Sequence, residues 1–492
     1  MELSTVLVVA IVFLIVFLWV RSAASNLPPS PLRPLPIVGH LFYLSPDSRP
    51  QFKEFRQRCG DIYSLYMGGT LVVVLNGYDL IKEAFVKRGD VFSDRPHFYS
   101  DMAVGMKDKG VIFSNGAIWK EQRSVSLSIL RTFGMGKNLL AGKIQEEVAC
   151  YVNYLASLKG KPMDIHVITN ISTCNIICSI LIGRRFEYDD KGLQTLMHKL
   201  GTLIMDTKNL GLVNFIFWLR FIPGDVFKAK RIAENRRAIF SELIKFIDEK
   251  KRHVVDSEDV CNLIDGYIVE RNKRRDAGIP TSLDDQHLTK IMYDLFAAGT
   301  ETTSTTICWC ILYMLNYPEV QEKVYQEIKH KVGTNRVPTI QDKCQLTYLN
   351  AVICETQRLA SVIPHAVIHV CSEDVTLAGY CLPKGTYVIP NLDSALHDKT
   401  TWGEDSTSFR PERFIDKNGE LQVPEQFIPF SIGRRACLGE ALAKMELFLF
   451  LSTMLQRFHF LPPNPHSVPE LKYKPGIIAA PKFYEVRMVE RK

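Results

Sequence analysis

One stretch governs what this chain can fold into. From about Asp284 to Asn316 the residues hold a helical pattern, and Pro318 then stops it. Roughly 33 helical residues reach about 50 Å, enough to cross a whole domain, so the other elements must pack around this one. Ser282-Leu283-Asp284-Asp285 resembles a capping box with Asp in place of Glu. The middle reads Ala298-Gly299-Thr300-Glu301-Thr302-Thr303, a poor helical sequence of one glycine and three β-branched residues. Thr302 lies four residues after Ala298, so its hydroxyl can bond that carbonyl and open the ladder. The expectation is a local groove beside a small, side-chain-free surface. The plainer alternative is a Thr-rich core helix with a solvated Glu.

A second stretch carries chemistry. Phe430 to Gly439 reads F-x-x-G-x-R-x-C-x-G, and an apolar helical run follows from about Ala441 to Leu455. Cys437 thus sits on a turn that opens into a helix. Gly433 and Gly439 permit close backbone approach and unusual dihedrals. The helix N-terminus stabilises a thiolate through its unpaired N–H groups and dipole. A thiolate held in this way suits the proximal side of a haem iron. With Ala298–Thr303, this loop resembles the cytochrome P-450 family of haem-thiolate monooxygenases, and the resemblance runs along nearly the whole chain.

The resemblance implies a mainly α-helical P-450 fold with small β-sheets, preceded by an N-terminal transmembrane helix. It implies haem b as cofactor, with Cys437 as the metal ligand. Ala298 to Thr303 matches the family's [AG]-G-x-[DE]-T-[TS] oxygen-activation pattern, which gives Thr302 and Glu301 the delivery of protons. Cofactor contacts carried over by motif are Ala298, Phe430, Arg435, Arg95 in Ser93-Asp94-Arg95-Pro96, Trp119 and Arg123 in W-x-x-x-R, and His369. Arginine suits the two haem carboxylates through its forked donors. Two positions depart from the pattern: Ile368 stands where Pro usually precedes the His, and Ser124 where a second Arg often follows Arg123. Glu355, Arg358 and Arg413 correspond to the family's structural Glu–Arg–Arg triad.

The remaining sequence sets the surroundings. Leu3 to Val20 is uncharged and long enough to cross a bilayer, between Glu2 and Arg21. An acidic start argues for an uncleaved anchor over a signal peptide, although Ser22-Ala23-Ala24 imitates a cleavage site. The expected organisation is an anchor at 1–21, a proline-rich hinge at 22–39 and a haem-thiolate monooxygenase domain at 40–492. The charge pattern then puts the body in the cytosol, at the endoplasmic reticulum membrane by resemblance. Phe52 to Cys59 reads as helix, Ile62 to Asn76 as a hairpin, and Val375 to Pro390 as a second β-rich part. Twelve cysteines without any C-x-x-C pair argue for reduced thiols and against structural zinc. The net charge of +7 has no Arg/Lys block interleaved with aromatics, which excludes a nucleic-acid role.

No G-x-G-x-x-G, P-loop or H-E-x-x-H occurs, so electrons must come from another protein. The family's donor is NADPH-cytochrome P-450 reductase, in some members assisted by cytochrome b5. Lys120, Lys137, Arg434 and Lys444 are the candidate docking cations. By resemblance the substrate is lipophilic (a fatty acid, steroid or foreign compound) and faces Phe98–Phe113, Leu203–Asn209, Asp294–Ala298, Val362–Val367 and Gly476–Ile478. The aromatic run from Leu210 to Phe227 reads either as a segment dipping into membrane lipid or as a core helix. Two rivals stand beside this reading: a peroxide isomerase or dehydratase needing no reductase, against which the intact Ala298–Thr303 motif and cysteine loop argue, and a haem-binding or lipid-binding membrane protein without turnover.

Overall fold

The computed structural model describes residues 26–133, 138–205, 207–252 and 260–491. The expected anchor at 1–21 and Lys137 lie outside these residues, as does part of Leu203–Asn209. Among the described residues, no helix is long and apolar enough to cross a membrane.

The long helix spans Asp285–Asn316. Asp284 caps it, its carboxylate accepting from the His287 N–H at 2.6 Å. The expected capping box is thus displaced. Ser282 is instead bound to the Glu121 carboxylate through both its amide and its hydroxyl. Pro318 ends this helix and begins the next, Pro318–Lys331, at a position where its missing N–H costs nothing. From Ile307 to Leu315 every residue is buried, which makes this half apolar all round, as a core helix must be. Helices that pack on it include Ile165–Leu181, Ala229–Lys251, Thr347–Ala360 and Glu440–Arg457. Each large apolar side chain buried there contributes about 1.5–3 kcal/mol.

Gly299 serves this packing. A Cβ built on it would lie 2.5 Å from Ile177 Cδ1, so the glycine lets Ile165–Leu181 approach closely. The side-chain-free surface expected at Gly299 is therefore filled by a neighbouring helix. The ladder is also unbroken: Thr302 Oγ1 does donate to Ala298 O at 2.8 Å, yet the helix continues through it.

The β-rich parts far apart in sequence form one sheet. Strands Ile62–Met67 and Thr70–Asn76 make the expected hairpin. Tyr387–Asn391 lies parallel beside the second of these, and His369–Val370 pairs with its other edge. Val375–Leu377 and Tyr380–Leu382 form a separate hairpin. Its two turn residues, Ala378 and Gly379, both have positive φ, the turn that matches strand twist.

The described part of the 22–39 segment is tied to this sheet. Ser64 donates from its amide to Pro29 O and from its hydroxyl to Pro28 O, and Cys381 N–H donates to Asn26 O. Residues 210–227 are neither one core helix nor a span. They form a helix Thr207–Phe215 followed by short turns, with Phe217, Trp218, Phe221 and Val226 more than half exposed. This segment abuts the N-terminal one: a Cβ on Gly68 would sit 2.6 Å from Phe215 O and 3.8 Å from Ile37 O. Ile37 and Phe42 are also exposed, so both neighbouring segments carry apolar side chains open to the surroundings.

Candidate functional site

The cysteine loop is held from within and from outside. Cys437 N–H donates to Phe430 O at 3.0 Å and Ala436 N–H to Gly433 O at 3.1 Å. Gly433 has φ +80°, and a Cβ there would meet Phe85 O at 2.0 Å, so only glycine fits. Gly439 differs: its φ is −92°, and no protein atom lies within 4 Å of a Cβ built on it. It is the N-cap of Glu440–Arg457. Cys437 is open at its surface while protein mass surrounds it closely. Burial pushes its thiol up, the Gly439 N–H pulls it down, Glu440 pushes up and Arg123 pulls down.

Beside the cysteine lies a buried basic cluster. Arg123 donates to Ala436 O at 2.7 Å, which joins the cluster to the loop. Arg435 donates to the carbonyls of Ser93 and Ser114 and lies 3.8 Å above the Trp119 ring. Arg95 Nη1 donates to Val367 O and Ile368 O. No carboxylate among the described residues forms an ion pair with Arg95, Arg123 or Arg435. Burial, then the charge of Arg123, lowers Arg95 to about 9. Burial, then Arg95, lowers Arg435 to about 8, with Asp94 opposing. Two buried donors, Arg95 Nε and Trp119 Nε1, have no partner. Uncompensated buried cations cost several kcal/mol each. The chemistry calls for an acidic ligand that brings more than one carboxylate to arginine forks and an indole N–H.

His369 joins this cluster as a neutral group. Its Nδ1–H donates to Phe92 O at 2.6 Å, and burial and Arg95 hold it well below the usual imidazole range. With Nδ1–H so used, Nε2 donates to a carboxylate only when the ring is protonated, a state a bound carboxylate would favour. Phe430 contributes its carbonyl to the loop, and its ring faces Lys444.

The central helix divides the other candidates between its faces. Ala298 is exposed, with the Thr302 hydroxyl bonded to its carbonyl. Glu301 turns instead to Ile165–Leu181, where Asn170 Nδ2 donates to Oε2 at 2.8 Å and His166 Nε2 stands 3.4 Å from Oε1. Burial raises the Glu301 carboxyl, but the bond and charge of His166 and the Asn170 amide outweigh it and leave it below the usual range. Thr303 points inward to Glu446, a buried carboxyl on the helix after the cysteine. Behind the loop, Glu355 binds Arg358 at 2.7 and 2.8 Å and Arg413 at 3.2 Å, all three side chains buried. Arg358 spends its remaining donors on Leu396 O, Ser406 O and Ser408 O. The triad therefore anchors the segment that leads to the cysteine.

The family model for Cytochrome P450 matches residues 28–488. The chain is a cytochrome P450. Its relatives include Cytochrome P450 2J2 of Homo sapiens, 39% identical over 94% of this chain and 91% of that protein. Cytochrome P450 2U1 of Rattus norvegicus is 36% identical over 99% of this chain and 95% of its own length. Cytochrome P450 2C39 of Mus musculus is 36% identical over the full length of both. A cytochrome P450 is a monooxygenase whose haem b is held by a cysteine thiolate. The residues present fit that group, since a turn-borne thiol adjoins a cluster of cations and orphaned donors suited to two propionates.

Sequence reading missed four residues of this P450. Phe85 braces the loop through its carbonyl, and its ring lies tilted against His369 with centroids 4.2 Å apart; it lies in the one-turn π-helix Glu83–Lys87. Glu446, His166 and Asn170 also went unmarked. An acid inside the apolar run 441–455 was the available sign for Glu446. Nothing local distinguishes the other three.

Proposed function

We propose that this P450 oxidises a lipophilic substrate at the endoplasmic reticulum membrane, its catalytic domain facing the cytosol, with electrons from NADPH through a separate reductase. Cys437 supplies the thiolate. The observation that carries this reading is Arg123, whose bond to Ala436 O places the basic cluster against the cysteine loop. A haem held there by Cys437 would supply dioxygen activation, with electrons from the reductase, so that one oxygen atom enters the substrate and the other leaves as water.

The chain's own part is positioning and protons. Arg95, Arg435 and Trp119 take up the propionates, and Arg123 steadies both propionate and loop. Thr302 presents its hydroxyl on the exposed face, and Glu301 supplies protons from one residue before it. The exposed apolar side chains of Ile37, Phe42, Phe217, Trp218 and Phe221, on segments that meet at Gly68, support contact with lipid. Fatty acids, steroids and foreign compounds remain the substrate classes to screen, with cytochrome b5 as an optional second donor.

The test is a reduced carbon monoxide spectrum, followed by product formation with reductase and NADPH. The parent should show the thiolate band and turn over a lipid or steroid. Cys437→Ser should lose the band, because serine lacks a readily ionised sulfur. An unchanged band in that variant would refute the ligand assignment.

A further inference from the structure

The Glu301 carboxylate is occupied on both oxygens by one neighbouring helix. Asn170 is itself braced, its Oδ1 accepting from Ser304 Oγ at 3.4 Å. His166 stands in the first turn of Ile165–Leu181, whose N-cap Asp164 accepts the His166 backbone N–H at 2.9 Å. A cation at a helix N-terminus is disfavoured by the dipole, so its position needs another reason. The helices are locked in register there: Thr173 Oγ1 donates to Thr300 O, and Ile177 fills the space over Gly299. The imidazole is about a third exposed and Glu301 a fifth, so the ring touches both solvent and the carboxylate and is the more open of the two.

We propose that His166 is a positioning residue for the reaction, holding Glu301 and passing protons to it from bulk water. The inference rests on the reading of Glu301 as proton supplier. In the transfer, the Nε2–H proton of the imidazolium moves to Glu301 Oε1. This leaves neutral imidazole and neutral carboxylic acid, and water then reprotonates the ring. The hydrogen bond to Glu301 raises His166 above the ordinary imidazole value; burial opposes, Glu301 and Asp164 add to the rise, and Lys474 opposes. From the central helix Cys308 faces the same carboxylates, and burial keeps its thiol un-ionised. The ion pair therefore exists between the lowered Glu301 value and the raised His166 value. It is lost as pH rises through the latter.

The first measurement is the titration of the His166 ring by NMR in ferric protein carrying ring-labelled histidine. It should titrate above the usual range in the parent and drop in Glu301→Gln. An unshifted His166 in the parent would overturn the contact. The second is product formed per NADPH across pH 6–9. His166→Gln should lower the ratio about tenfold and flatten the profile. That is less than the ~10²–10⁴-fold of a group transferring directly to a reacting atom, because His166 acts through Glu301. His166→Lys keeps a cation beside Glu301 but holds its proton too tightly to exchange it near neutrality. It should stay as uncoupled as His166→Gln, and full recovery would reduce His166 to an electrostatic tether and overturn the proposal. If Glu301→Gln uncouples while His166→Gln behaves as parent, the inference fails and the reading of Glu301 stands. If Glu301→Gln stays fully coupled, that reading itself fails.

Discussion

Glu446 gives the sharpest test of the core. It sits on Glu440–Arg457, is 1% exposed, and has Thr303 as side-chain partner for one oxygen while Oε1 has none. Burial pushes its carboxyl from 4.5 up to about 8, against the Thr303 bond. At ~1.4 kcal/mol per unit, keeping this acid in the core costs up to about 5 kcal/mol once the unfolded chain would ionise it. Between about pH 5 and 8 the folded protein binds a proton that the unfolded chain has released, so this contribution weakens the fold as pH rises. Glu446→Gln keeps the size and cannot ionise. The unfolding free energy of the variant minus that of the parent should grow by about 4 kcal/mol from pH 5 to pH 8, then level off. Urea unfolding followed by circular dichroism at several pH values measures it, and the difference cancels other titrating groups. A difference that stays flat over this range would show that Glu446 is ionised in the folded protein and refute the reasoning.

Thr302→Ala should keep haem and lower product per NADPH, with peroxide rising, by up to the ~10²–10⁴-fold of a positioned proton donor. Its control is Thr303→Ser, which preserves the hydroxyl on Glu446; equal uncoupling in both would refute the assignment to Thr302. For electron delivery, Lys120 is exposed and without an ion pair among the described residues, whereas Lys444 is held by Glu440 at 2.6 Å and Arg434 by Asp90. Lys120→Glu should therefore slow reduction by the reductase more than Lys444→Glu, most strongly at low salt, and a salt-independent rate would remove the docking role. A protein lacking residues 1–25 should still bind lipid vesicles through Phe217, Trp218 and Phe221. Changing all three to Ser should weaken that binding at least about a hundredfold, at ~1.5–3 kcal/mol per buried ring, and undiminished sedimentation with vesicles would place the lipid contact elsewhere.

What the sequence made legible was local. The cysteine loop, the back-bonded Thr302 and the helix from Asp285 follow from spacing along a few turns, and so does the 62–76 hairpin. What stayed hidden was which way each helical face points. Gly299 read as open surface, because periodicity does not say whether a bare spot meets a ligand or Ile177. Glu301 and Thr302 read as one unit, although one step along a helix turns about 100° and sends them to different neighbours. The sheet was half visible: its hairpin has a turn signature, while the parallel strand Tyr387–Asn391 joins it through a pairing that leaves no local mark. His166 could not be tied to Glu301 without the register that Thr173 and Ile177 impose.

The fit of Gly433 against Phe85 bears on how the protein is made. The loop that presents Cys437 takes its shape from the carbonyl of Phe85, and Arg435 is fastened to Ser93 and Ser114 in the same early part of the chain. A ribosome delivers these early residues long before the cysteine. The first part must therefore wait, unsatisfied, until the cysteine loop at 430–439 arrives. Cofactor capture in this protein is consequently a closing event of biosynthesis, and a truncated nascent chain holds Arg95, Trp119 and Arg123 without the Arg435 and Cys437 that complete the receptor and the thiolate.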